Sequence, residues 1–174
     1  GTDTLRLSGS GSGGTIDSGL GNDSISVAGN LTTSQISTDA GNDSINFVSG
    51  STQVSIYAGS GNDVISFGSD AVSSSDQLIG ALGDDSFDFD AAVSKTTATG
   101  GSGNDTFAFG GTVTGAYVSG DSGNDSVLFT EVAIGNTSVM GGEGKDTVTF
   151  NNGATSVSIA GGAGADKVTF SGGA

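Results

Sequence analysis

The sequence has 174 residues, one domain's worth, with 33 Gly, 4 Lys plus Arg, 19 Asp plus Glu, and no Pro, Cys, His or Trp. A net charge of −15 argues against nucleic acid and anionic membrane surfaces as partners, and the missing Cys and His remove disulfides, thiolate and imidazole metal sites and the commonest general base. No apolar run approaches the ~20 residues that span a bilayer, and neither a basic nor an apolar leader segment opens the sequence, so neither a span nor a secretory signal is expected in it.

Read from the first residue, the chain is a repeat. Aspartates stand at Asp3, Asp23, Asp43, Asp63, Asp85, Asp105, Asp125, Asp146 and Asp166, at intervals of 20, 20, 20, 22, 20, 20, 21 and 20 residues. Gly1, Gly21, Gly41, Gly61, Gly83, Gly103, Gly123, Gly144 and Gly164 each precede one of them by two positions. Two positions after each Asp comes an apolar residue, from Leu5 and Ile25 through Phe87 and Phe107 to Val168. Four after, the column runs Leu7, Val27, Phe47, Phe67, Phe89, Phe109, Phe129, Phe150, Phe170. Seven before, Ile16, Ile36, Ile56, Leu78, Ala98, Val118, Val139 and Ile159 make a third apolar column.

The two-residue spacing after each Asp is that of a strand with one buried face, and the column before Asp marks a second strand. Two short strands and two turns in about 20 residues predict one coil of a parallel β-solenoid. About nine coils fill residues 1–174 as a single all-β domain, with equivalent positions stacked roughly 4.8 Å apart. The two longer intervals, Phe67 to Leu78 and Phe129 to Val139, place all length variation in the far turn and none in the Gly–Asp turn. The chemistry is therefore expected on the invariant edge.

That turn reads "SGLGNDSI", "AGSGNDVI", "GGSGNDTF" and "GGEGKDTV" in successive variants. Glycine permits backbone conformations that direct carbonyl oxygens to one centre, and Asp adds a hard anionic oxygen. Carbonyls with carboxylates form the ligand set of calcium. Carboxylates stacked about 5 Å apart repel by roughly 3 kcal/mol at an effective dielectric of 20, and a divalent ion between coils turns that repulsion into a cross-link. An Asx ladder that caps the turns without metal is the competing structural reading. The unbroken Asp column and the uncompensated charge favour the ion.

The pattern Gly-Gly-x-Gly-x-Asp-x-apolar-x, complete in "GGSGNDTFA", "GGEGKDTVT" and "GGAGADKVT", resembles the RTX nonapeptide repeat over essentially the whole chain. The resemblance implies a right-handed parallel β-roll that binds Ca2+ between coils, on a protein exported by type I secretion. It implies that the Asp column from Asp23 to Asp166 supplies side-chain ligands and the turn glycines supply carbonyls. Asp3 and Gly1 begin a ninth turn. In this sequence the motif recurs once per coil, so one row of about eight ions is expected along one edge, as in RTX adhesins and surface-layer proteins. Asp39, Ala81 and Asp121 replace the second Gly, and those sites are expected to differ in affinity.

Other readings are weaker. Neighbouring carboxylates such as Asp84 with Asp85, or Asp88 with Asp90, lack a shared face and a His or Arg companion, so a glycosidase reading yields to a solvated surface. The Gly-x-Gly runs open no helix, which voids a dinucleotide loop. Ice binding asks for a Thr row three before Asp, and Leu20, Ala40, Ser60, Leu82, Ser102, Ser122, Glu143 and Ala163 stand there instead. The chain thus reads as a non-enzymatic, secreted structural component of a surface layer, filament or matrix at the cell surface. The repeat is cut at both ends, so it is expected to be a segment of a longer protein or to self-associate end to end or in a lattice. The stalk of a large adhesin is the alternative; the secretion module of an exported enzyme or toxin ranks third.

Overall fold

A computed structural model describes residues 1–131 and 133–172. Alternating residues after each Asp give nine four-residue strands, Thr4–Leu7, Ser24–Val27, Ser44–Phe47, Val64–Phe67, Ser86–Phe89, Thr106–Phe109, Ser126–Phe129, Thr147–Phe150 and Lys167–Phe170. They pair in chain order as one parallel nine-stranded sheet. The register follows the sequence columns: Leu5 lies beside Ile25, Phe67 beside Phe89, and Phe129 beside Phe150. The chain is a parallel β-solenoid, and no helix occurs among the described residues.

The opposite wall departs from one strand per coil. Each coil contributes two segments there, such as Leu31–Thr32 and Gln35–Ser37, or Val93–Ser94 and Thr97–Ser102, all parallel to their neighbours in a second, 14-stranded sheet. A left-handed residue bends the chain between the segments: Thr33, Gln53, Ser75 and Lys95 have φ of 46°, 55°, 57° and 55°. These residues carry no Gly or Asn signal, so stacking imposes the corner at a local strain cost of roughly 1 kcal/mol each. In Ala133–Gly144 and Ala154–Gly164 the two segments run together as one strand.

Both insertions fall on this far side. The two extra residues lie between Phe67 and Ser73, where the Ala71 amide donates to the Gly68 carbonyl. The single extra residue shifts register between Ile134 and Thr137. The Gly–Asp edge keeps its spacing throughout, because there each coil must meet the next atom for atom.

Three inward columns fill the core. The seven phenylalanines from Phe47 to Phe170 stack face to face, with ring centroids 4.6–5.1 Å apart. Phe87 and Phe107 stack beside them at 4.7 Å. Ile36, Ile56, Leu78 and Val118 close the core from the opposite wall. At the far corner it turns polar, and Asp76 is buried at 2 % exposure. Its carboxylate accepts from the Ser51 and Ser73 hydroxyls and from the Val54 and Ser74 amides. Carboxylates outside the repeat column are thus not all on a solvated surface. Burial raises the Asp76 pKa despite these four donors. Asp76 is a satisfied structural group.

Candidate metal centre

Each Asp of the column sits immediately before a strand of the nine-stranded sheet, at the exit of the Gly turn. Stacking buries the column: Asp23, Asp43, Asp63, Asp85, Asp105, Asp125 and Asp146 are 1–3 % exposed. Asp166 is half-buried and Asp3 exposed. One carboxylate oxygen is committed to the stack. The amide of each Asp donates to Oδ1 of the Asp one coil later, from Asp3 to Asp23 through Asp146 to Asp166, at 2.7–3.1 Å. The other oxygen, Oδ2, is buried without any hydrogen-bond partner in all seven buried members. An unpaired buried carboxylate oxygen costs several kcal/mol unless something cationic meets it.

The neighbouring column makes the contrast. Asn22, Asn42, Asn62, Asp84, Asn104 and Asn124 form a second ladder in the opposite direction, each Oδ1 accepting the amide of the next coil at 2.6–3.0 Å. Where only the ladder is needed, and solvent is present, the chain uses mostly Asn. In the buried column Asn would serve the ladder equally well without charge, yet all nine positions are Asp. The capping ladder is therefore real but accounts for only half of each carboxylate.

Glycines shape the space around Oδ2. In the column two before Asp, φ lies between 118° and 140° from Gly21 to Gly164. Any Cβ there would overlap the carbonyl of the preceding coil; at Gly103 it would also stand 2.5 Å from the Gly83 carbonyl carbon. The glycines five before Asp, the first Gly of the repeat pattern, lie outside the invariant columns. A methyl on Gly80 would overlap Asp85 Oδ2 and lie 2.8 Å from the Gly100 carbonyl oxygen, and one on Gly120 would overlap Asp125 Oδ2 and lie 2.6 Å from the Gly141 oxygen. Gly80, Gly120 and Gly141 each leave a cradle faced by a carboxylate oxygen and a carbonyl of the next coil. The first Gly of "GGSGND" was the available sign of it. In the earlier coils Ser18, Thr38 and Ala58 hold this place, and the Thr38 hydroxyl donates to the Ala58 carbonyl at 2.9 Å.

The donor set fits a hard cation. It consists of carboxylate and carbonyl oxygens, with no His or Cys in the chain and, among the described residues, no cluster of three acidic or metal-binding side chains. Such a carbonyl-rich oxygen set matches calcium. Burial pushes the carboxyls of Asp63, Asp105 and Asp125 up to about 6 and that of Asp85 up to about 7, against the lowering effect of the ladder amide and with repulsion from neighbouring carboxylates adding to the rise. A folded-state pKa above the ordinary aspartate value makes the stability contribution complete at low pH and lost as pH rises through the raised value. The metal-free protein is therefore expected to gain stability as pH falls, from little β signal at pH 8 to a measurable melt near pH 4, with the change spread between about pH 7 and the ordinary aspartate value near 4. A flat profile in a metal-free melting series would contradict the buried, unpaired column.

The family model for the RTX calcium-binding nonapeptide repeat (4 copies) matches residues 50–71 and 97–111. Both stretches contain a Gly–Asp turn and its strand, centred on Asp63 and Asp105. The chain carries RTX-type calcium-binding repeats. No curated protein and no solved structure matches it. The matched RTX turns are chemically continuous with the unmatched ones, since the Oδ1 ladder and the unpaired Oδ2 run through all of the buried members.

Proposed function

We propose that the protein is a calcium-stabilised structural rod of the extracellular space, a component of a surface layer, filament or matrix without catalytic activity. The row of buried, unpartnered Oδ2 atoms carries this reading. In it, Asp23, Asp43, Asp63, Asp85, Asp105, Asp125, Asp146 and Asp166 hold calcium through Oδ2. Backbone carbonyls of the residues two, four and five before each Asp, most of them glycines, complete the oxygen shell, in one row of about eight ions. Bound calcium supplies the divalent charge that neutralises the column and lets the coils stay in register. Calcium at about millimolar concentration outside the cell saturates modules of this kind, whereas the scarce calcium inside leaves the chain unfolded for export.

The test is circular dichroism and melting with calcium and with chelator, on the native chain and on Asp105→Asn. Chelation is expected to abolish most of the β signal of the native protein at pH 7.5. The Asn side chain keeps the ladder acceptor and adds a donor where Oδ2 stood, so the variant should bind one ion fewer while losing less on chelation. An unchanged ion count in Asp105→Asn, or a melting temperature indifferent to chelator, would overturn the assignment.

A further inference from the structure

We propose that calcium fills this row in a fixed order, beginning at the turns of Asp85, Asp105 and Asp125 in the middle of the rod. The inference rests on the calcium reading above and adds a sequence of events to it.

The middle of the row carries extra charge held in place. Asp84 stands where other coils have Asn, and both the amide and the Nδ2 of Asn104 donate to its Oδ1, at 2.6 and 3.1 Å. Asp121 stands where most coils have Gly; the Ser119 hydroxyl donates to it, and the strand register sets it beside Gly101 and Gly142. The like charges bearing on Asp105 are those of Asp125, Asp84 and Asp121, and Asp84 also bears on Asp85. Into this concentration of charge point the buried, unpartnered Oδ2 atoms of Asp85, Asp105 and Asp125. Gly80 and Gly120 keep the cradles at the Asp85 and Asp125 turns open, as Gly141 does at the Asp146 turn.

Both flanks are poorer sites. Toward the first coils, Ser18, Thr38 and Ala58 put side chains into the cradle position, and the Thr38 hydroxyl already engages a carbonyl. Asp17 and Asp39 add two carboxylates there, as many as in the middle, so the side chains in the cradle position are what set these coils apart. Toward the last coils, Lys145 precedes Asp146 and Lys167 follows Asp166, with Glu143 offsetting one of these cations. A divalent ion feels each unit charge twice over, so one charge added or removed at one to two coil spacings in water changes affinity by about five-fold. Because coils interact with nearest neighbours, order should spread outward from the coils that fill first.

Hydrogen exchange of the full chain, read by mass spectrometry at stepped free calcium and paired with calorimetric ion counting, tests the order. Protection is expected first in residues 77–130, with residues 139–170 following at about ten-fold higher calcium and residues 15–65 also trailing. Asp84→Asn with Asp121→Gly installs residues that other coils already use, so folding is preserved. This variant should raise the calcium midpoint of the middle by about 25-fold, two five-fold steps, and place it behind the later coils. Lys145→Asn should lower the midpoint of the later coils by about five-fold. One common midpoint for all coils, or protection starting at either flank, overturns the proposal while leaving calcium binding intact. Failure to take up calcium at all would instead overturn the functional reading beneath it.

Discussion

Gly103→Ala is expected to disrupt its coil even in saturating calcium. The residue holds φ at 134°, outside the range of L side chains, and its new methyl would fall on the Gly83 carbonyl. Backbone strain of roughly 1–3 kcal/mol and overpacking of roughly 1–3 kcal/mol add, because the obstructing atom is backbone and cannot swing aside. A loss of about 4 kcal/mol is expected by denaturant titration, together with loss of exchange protection in Thr106–Phe109 and its neighbours. Glu143→Ala, on an exposed position of the same edge, should stay within about 0.5 kcal/mol of the native protein. Equal stability of the two variants would mean that the turns do not stack as closely as described.

Phe109→Ala attacks the other source of cohesion. Its ring lies between Phe89 at 4.9 Å and Phe129 at 4.8 Å, with interplanar angles of 2° and 7°, and it is 1 % exposed. Removing a buried Phe costs about 3–5 kcal/mol, and two lost stacking contacts add roughly 1 kcal/mol or more. For a chain of this size the melting temperature should fall by about 10 °C or more in saturating calcium. Phe109→Val should cost less, since Val27 occupies the same column in another coil. A shift of only a degree or two for the Ala variant would show that metal alone holds the coils together.

The two results bear on different halves of the design. A thin core and glycine-rich turns leave the metal-free rod short of stability, and the unpaired carboxylates deepen the deficit at neutral pH. Calcium binding and phenylalanine stacking act on the same interfaces between coils, so loss of either should weaken local register before it weakens the strands themselves.

Much of this was legible in residue order. The Asp and Gly columns, the apolar columns through Phe47 and Ile36, and the confinement of insertions to one side predicted a parallel solenoid in the observed register. The hidden parts have a common feature. Thr33, Gln53, Ser75 and Lys95 carry no Gly or Asn signal, yet their φ values bend four of the coils at the corner that Gly13 and Gly115 hold in others. Asp76 looked like one more surface carboxylate and lies buried under four donors.

Sequence by itself determined the period, the inward columns and the oxygen chemistry of one edge, because spacing and residue type are properties of the chain before it folds. Only the tertiary structure decided which oxygen of each Asp is used in the stack and which is left without a partner, and which glycines hold a cradle open. Those outcomes depend on atoms about 20 residues away in the next coil, and they exist only once the coils are stacked and water has been driven from between them.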